Sequence, residues 1–134
     1  MSIRYLLDTN IVSYHIRRSS PALLRRLHAT PIAHVALSVV TEMELRYGMA
    51  RNPALRIAPL VESFLSGIAI LPFDSSAAKK YAAIRHAVVS KGAAAGPLDL
   101  MIAAHALAMG IVLITNNARE FSRIPDLRYE DWSK

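Results

Sequence analysis

Short apolar runs that alternate with stretches of helical periodicity constrain this chain more than any other feature. Residues 3–7 (IRYLL), 34–37, 69–73 and 111–115 (IVLIT) read as strands. Their apolar positions are continuous rather than alternating, as expected where helices cover both faces of a sheet. A helix is expected over residues 11–17, capped by Asn10 or a neighbour. Ser20 before Pro21 pairs an N-cap with a first-turn proline and opens a second helix to Ala29. Residues 38–49 look helical, with Val39, Val40, Met43 and Tyr47 near one face. Pro53 opens another helix to about Leu65, ended by Gly67. Ser75 or Ser76 is expected to cap the next, on which Ala77, Ala78, Tyr81, Ile84 and Val88 recur at helical spacing. Gly92 and Gly96 bound a small-residue loop, and Pro97 opens a helix that ends at Gly110. A turn of helix near Glu120 and an edge strand around residues 127–132 complete the pattern. The alternation predicts one α/β domain, residues 1–134, with a mostly parallel sheet.

In such sheets the ligand crevice lies beyond the carboxyl ends of the strands. Asp8 follows the first strand directly, and Ser38 follows the second. Glu44 lies on the helix that Ser38 opens, and Thr115, Asn116 and Asn117 follow the last long strand. Asp99 falls in the first turn of the helix that begins at Pro97, and Glu120 follows the last of these segments. Taken singly, each acid has a plainer use. Asp8 suits an N-cap, Asp99 suits the positive end of a helix dipole, and Glu120 suits a surface turn. A helix N-terminus also favours the ionised carboxylate, the form a metal ion needs. Glu42 and Glu44 stand two apart, about 200° around a helix, so at most one faces the crevice, and spacing alone does not choose between them.

Carboxylates gathered in one crevice repel and raise one another's pKa values, and a bound cation removes that penalty. The chain has no cysteine, and its five histidines show no zinc-ligand spacing. His105, in an apolar helix, is expected to be a packed core histidine. Oxygen-only donors favour Mg²⁺ or Mn²⁺. Such an ion above a sheet suits phosphodiester hydrolysis. A net charge of +6, from sixteen Lys and Arg against ten Asp and Glu, points to a polyanionic partner, RNA or DNA. No Ser-His-Asp set, glycine-rich phosphate loop or dinucleotide fingerprint competes. An aspartyl-phosphate mechanism on Asp8 would favour a second acid at position 10, which is Asn10.

The longest apolar stretch, residues 100–114, is broken by His105 and Gly110. It also falls short of the roughly 20 residues a membrane-spanning helix needs. The opening MSIRYLLDTN lacks a signal-peptide layout. A cytoplasmic protein is therefore expected, in keeping with the absence of cysteine.

Four segments, in order, carry a family resemblance. They are Leu7-Asp8-Thr9-Asn10, then TEMELRYG from Thr41 to Gly48, then Gly96-Pro97-Leu98-Asp99 with Met101-Ile102-Ala103, and finally Thr115-Asn116-Asn117 with Arg119-Glu120-Phe121. Together they resemble the PIN-domain ribonucleases, specifically the VapC-type toxins of bacterial toxin–antitoxin pairs. The resemblance runs along almost the whole chain.

It implies a three-layer α/β/α sandwich around a central parallel sheet. It selects Glu44 over Glu42 and makes Asp8, Glu44 and Asp99 the principal metal-binding acids, with Mg²⁺ (or Mn²⁺) as cofactor. Asn117 stands where many members carry an aspartate. Asn117 and Glu120 are therefore placed at the edge of the catalytic set, Asn117 acting through water and Glu120 supplying outer charge. Thr115, Asn10 and Ser38 look like hydrogen-bonding support. The resemblance further implies a homodimer, a VapB-type antitoxin whose tail occupies the crevice, and operator DNA bound only through that antitoxin. The expected substrate is structured RNA cut in an exposed loop. TEMELRYG and GPLDLMIAAHA are closest to members that cut the initiator tRNA. Arg17, Arg18, Arg25, Arg26, Arg46 and Arg119 are candidate backbone contacts. Tyr47 and Tyr81 are expected at a core or dimer seam rather than on bases. The alternative is a catalytically weak module of an antitoxin–DNA complex, for which Asn117 is the only support.

Overall fold

A computed structural model describes residues 2–52, 56–92 and 96–134. In chain order the elements are β1 (Tyr5–Leu7), α1 (Thr9–Ile16), α2 (Pro21–Ala29), a 3₁₀ turn (Ile32–His34), β2 (Val35–Ser38), α3 (Val39–Arg51) and α4 (Ala58–Ser66). There follow β3 (Ala69–Leu71), α5 (Ser75–Ser90), α6 (Pro97–Met109), β4 (Val112–Ile114), α7 (Ala118–Phe121) and β5 (Tyr129–Glu130). The five strands pair in parallel, in the order β3-β2-β1-β4-β5. Leu6 aligns with Ala36 on one side and with Leu113 on the other.

The period-two geometry of the strands divides the core into two. Leu6, Ala36 and Leu113 point to one face, where they meet Ile84 and Val88 of α5, Leu100 and Ala103 of α6, and Phe121. Leu7, Leu37 and Ile114 point to the other, against Ile11 and Val12 of α1, Leu23 of α2 and Val61 of α4. Both faces are covered, which is why the strands are apolar throughout. Helix α3 sits at the end of the sheet and serves both sides, with Val40 in the first core and Leu45 in the second. A fully buried leucine such as Leu6, Leu7 or Leu113 contributes about 2 kcal/mol.

Helix boundaries follow local chemistry. Ser20 caps α2 by accepting the Leu23 N–H at 3.1 Å, as expected. Gly110 ends α6 at φ +67°, a left-handed conformation that glycine adopts without penalty. Asp8 caps α1, the plainer use it suits, in place of Asn10. One cap is not an expected residue: Asp74, not Ser75 or Ser76, caps α5 through the Ala77 N–H. It stands just before the serines and reaches the free amide directly.

The face of α3 also differs from expectation. Val40, Thr41 and Leu45 are buried, whereas Met43 and Tyr47 are 50% and 67% exposed. A helix lying across the end of a sheet buries parts of two faces, so a single apolar stripe does not describe it. Tyr81 is half-buried against the first core, but Ala78 is exposed. The expected start of a helix at Pro53 and the interior of the Gly92–Gly96 loop lie outside the described residues. Among the described residues, no helix is long and apolar enough to cross a membrane.

A candidate metal centre at the carboxyl edge of the sheet

The chain builds outward from β1 to β2 and β3, then returns to the other side of β1 with β4. The order reverses between β1 and β4, and a parallel sheet opens its crevice at such a reversal. Asp8 and Thr115, the residues that follow these two strands, meet there. The Asp8 N–H donates to the Ile114 carbonyl at 3.0 Å, prolonging the β1–β4 ladder by one residue. The Asp8 carboxylate is thereby held over the strand ends. Its Oδ1 accepts the Ile11 N–H at 2.8 Å, and the Thr115 hydroxyl donates to it as well. Asp8 is both cap and candidate ligand, so its plainer use and its functional use coexist. Burial pushes its carboxyl up to about 6. The hydrogen bonds from Thr115 and Ile11 oppose that shift, and the charges of Glu44 and Asp131 add to it.

Glu44 comes in from α3. The Thr9 hydroxyl donates to its Oε1 at 2.6 Å, and the Thr9 and Thr41 hydroxyl oxygens lie 3.2 Å apart. Thr9 has one proton, which goes to the acceptor-only carboxylate, so the buried Thr41 is the donor of the threonine pair. This short relay fixes the direction of Glu44. Glu42 points away, receiving Arg46 Nε at 2.8 Å while Arg46 Nη1 reaches Glu62 at 2.9 Å. The two glutamates therefore take different partners, Glu44 the Thr9 hydroxyl and Glu42 the Arg46 guanidinium.

Asp99 lies in the first turn of α6, where the helix dipole favours its charge. Its carboxyl is nonetheless pushed up to about 7. Burial is the main cause, followed by the Glu120 charge and a hydrogen bond with Glu120, then by Glu44 and Asp8. Glu120 is thus the nearest charge against which Asp99 must ionise. Glu120 is further held by the Asn117 amide, whose Nδ2 donates to Oε2 at 2.5 Å, and by the Gly96 N–H at 3.4 Å. Thr115 joins the two halves of the crevice, since its oxygen also accepts the Asn117 N–H at 2.9 Å. Asp8 and Asp99 feel the charge of Glu44, Asp99 that of Glu120 as well, and Asn117 bonds Glu120.

Among the described residues, no three acidic or histidine side chains converge closely enough to enclose a cation. The acids are neighbours that act on one another's charge, while Asp8, Glu44 and Glu120 each accept from a different donor. Carboxylates without a counter-ion repel, so an open arrangement is the expected one.

Two supports differ from expectation. Asn10 is exposed, and Thr9 beside it holds Glu44 instead. Ser38 is buried but bonds Val40 and His105 rather than an acid. Three contributors were not foreseen: Thr9, Thr41 and Asp131. Thr41 stands three residues before Glu44, on the same helix face. Asp131 follows β5, the same kind of position that singled out Asp8, and its Oδ1 accepts the Ser133 N–H at 2.8 Å.

A groove of about 340 Å³ opens beside Glu44, floored by Ile16, Leu45 and Val61 and flanked by Arg17 and Arg51. Basic groups beside an acidic crevice are what a phosphodiester substrate requires. Arg46 is engaged by two glutamates, and Arg26 stacks on Trp132 at 4.7 Å while reaching Glu130. Arg51 lies over the Tyr47 ring at 5.7 Å but, among the described residues, pairs with no carboxylate.

The PIN domain family matches residues 5–127 of the chain. A Shigella flexneri protein named tRNA(fMet)-specific endonuclease VapC is 39% identical over 133 residues, covering 98% of this chain and 99% of that one. Ribonuclease VapC2 of Haemophilus influenzae is 37% identical over 132 residues, covering 97% and 98%. Among solved structures, a chain of the DNA-bound VapBC crystal structure from Salmonella typhimurium superposes with a TM-score of 0.90 at 38% identity. That match covers 97% of this chain and 98% of the other.

Proposed function

The chain belongs to the PIN-domain family and, within it, to the VapC group, and from that premise we propose that it is a Mg²⁺-dependent endoribonuclease toxin. Its substrate is structured RNA, a tRNA anticodon loop and the initiator tRNA first. A VapB-type antitoxin holds it silent and carries the complex to operator DNA. The toxin acts in the cytoplasm as a homodimer and arrests growth when released.

One observation carries the reading. Asp8 and Asp99, from distant parts of the chain, are pushed up to about 6 and about 7, chiefly by burial and in part by Glu44, which both face, and the groove beside Glu44 is flanked by Arg17 and Arg51. Such a set is unfavourable without a cation and suits one with it. The donors are all oxygen, which fits Mg²⁺ or Mn²⁺. Mg²⁺ keeps several waters and takes only one or two carboxylates directly, so an open cluster is compatible with it. Asp8, Glu44 and Asp99 would hold the ion. When bound, the ion supplies activation of water and charge stabilisation at the attacked phosphate.

The chain's own residues do the rest. Thr115 and the Ile11 N–H hold Asp8 in place, and the Thr41–Thr9 relay holds Glu44. Asp99, raised by burial and by the Glu120 charge, is the acid of the set that holds a proton most readily. Asn117 holds Glu120 at the edge of the crevice. Arg17 and Arg51 are placed to grip backbone phosphates, leaving loop bases free to be read by stacking.

Incubation of purified protein with tRNA and Mg²⁺, with end mapping of the products, tests the reading. Cleavage that EDTA blocks is expected. The second reading, a catalytically weak module, rests on the amide at position 117 in place of a fourth carboxylate. Intact tRNA after full Mg²⁺ loading would favour it.

A further inference from the structure

Ser38 and His105 are 0% and 1% exposed, and neither borders the acidic crevice directly. The Ser38 hydroxyl and His105 Nδ1 lie 2.8 Å apart. The same oxygen accepts the Val40 N–H at 3.1 Å, capping α3. Burial holds the ring below the ordinary histidine pKa, against the opposing effects of Asp74 and the Pro72 backbone. The Ser38 oxygen already accepts the Val40 N–H, and its own proton is free to go to Nδ1. The chain of bonds runs from the Val40 N–H through Ser38 to the buried imidazole. Phe73 meets the ring edge-on, with centroids 5.6 Å apart at 77°.

This network joins three elements: the start of α3, the middle of α6 and the residues after β3. Helix α3 carries Thr41 and Glu44, and α6 carries Asp99. The flanking residues Ala103, Ala104 and Ala106 are all fully buried. An apolar side chain at 105 would suit that setting, and a polar one there specifies geometry rather than adding bulk stability.

We propose that His105 is a positioning residue for the acidic crevice, fixing the start of α3 against α6 so that Glu44 stands at the right distance from Asp99. The two helix ends carry like charges that push apart when no cation lies between them. A restraint behind them, the buried Ser38–His105 bond, sets their separation. The inference rests on the crevice being the working site.

The test compares His105→Phe, His105→Asn and Ser38→Ala. The asparagine amide oxygen takes the place of Nδ1 and keeps an acceptor for Ser38. Three readouts are used: amide exchange at Val40 in the metal-free protein, Mg²⁺ binding by calorimetry, and tRNA cleavage. His105→Phe and Ser38→Ala are expected to speed exchange at Val40 and weaken Mg²⁺ binding. Each should lower kcat at least tenfold with little change in KM. His105→Asn should recover most of each loss. The double variant Ser38→Ala, His105→Phe should lose no more than either single one, because both cut the same link.

Wild-type exchange and Mg²⁺ binding in folded His105→Phe would overturn the proposal, as would losses that multiply in the double variant. If His105→Phe fails to fold, Ser38→Ala against His105→Asn decides by the same readouts. A wild-type protein that cuts no RNA would defeat the proposed function, yet exchange at Val40 and Mg²⁺ binding would still decide the role of His105.

Discussion

Thr9 donates its hydroxyl proton to Glu44 across 2.6 Å, so the residue beside the first strand's acid aims the acid of the third helix. A hydrogen bond to a charged group contributes roughly 1.5–3 kcal/mol. Thr9→Val keeps the shape and removes the donor. Cleavage by this variant is expected to fall on the order of tenfold to a hundredfold, with Thr9→Ser near wild type. Single-turnover rates on tRNA check it, and equal rates for Val and Ser would show that Glu44 needs no such aim.

Asp8→Asn and Asp99→Asn are each expected to abolish cleavage and growth arrest without unfolding the protein. Asparagine caps a helix about as well as aspartate, so α1 survives in Asp8→Asn. Asp8→Ala, which lacks the cap, should lose about 1 kcal/mol. Denaturant titration and RNA cleavage read the two effects apart. Full cleavage by either asparagine variant would remove these acids from the mechanism.

Metal-free stability should fall as pH rises. Both carboxyls are raised, from 3.8 to about 6 in Asp8 and to about 7 in Asp99. The folded protein therefore holds protons that the unfolded chain has released between about pH 4 and pH 7. That stabilisation is complete below pH 3.8 and is lost as pH climbs through the folded values. Mg²⁺ binds the ionised form and should offset the loss, while Asp99→Asn should flatten it. Tm against pH, with EDTA and with Mg²⁺, is the measurement. A metal-free Tm for the wild type that gains on Asp99→Asn between pH 5 and 7.5 would contradict the shared charge.

Arg17 and Arg51 flank the groove beside Glu44, whereas Arg46 is occupied by Glu42 and Glu62. Arg17→Ala or Arg51→Ala should weaken RNA binding and reduce the slope of log K against log salt by roughly one each. Arg46→Ala should leave that slope unchanged. Filter binding of tRNA to an inactive Asp99→Asn background, over a range of KCl, separates these outcomes.

Asn117 gives its amide proton to Glu120 at 2.5 Å. Asn117→Asp replaces that donor with a third charge beside Asp99 and Glu120. Metal-free Tm should drop, and half-maximal cleavage should need less Mg²⁺. Calorimetric titration of Mg²⁺ into both proteins tests it, and unchanged affinity would place position 117 outside the ion's reach.

Much of the site was legible along the chain because a parallel sheet converts local position into common location. An acid right after a strand, such as Asp8, lies at the carboxyl edge wherever that strand sits. The same rule applied to β5 would have reached Asp131, but residues 127–132 carry a weak edge-strand pattern that ends at the buried Trp132. Thr9 was hidden by its neighbour, because Asn10 offers the more conspicuous hydrogen-bonding side chain and yet lies exposed. His105 was expected as a packed core histidine, and it is one. Nothing local indicates that its partner is Ser38, 67 residues away.

The sequence by itself determined the alternation of strands and helices, the acids at their ends, and the family to which the chain belongs, since all three rest on local spacing and on residue identity. Strand order, the face of α3 that turns inward and the meeting of Asp99 with Glu120 were decided only by the tertiary structure. The physical reason is that hydrophobic burial fixes which helices meet across the sheet. Only when they meet do carboxylates remote in the chain come near enough to change one another's charge.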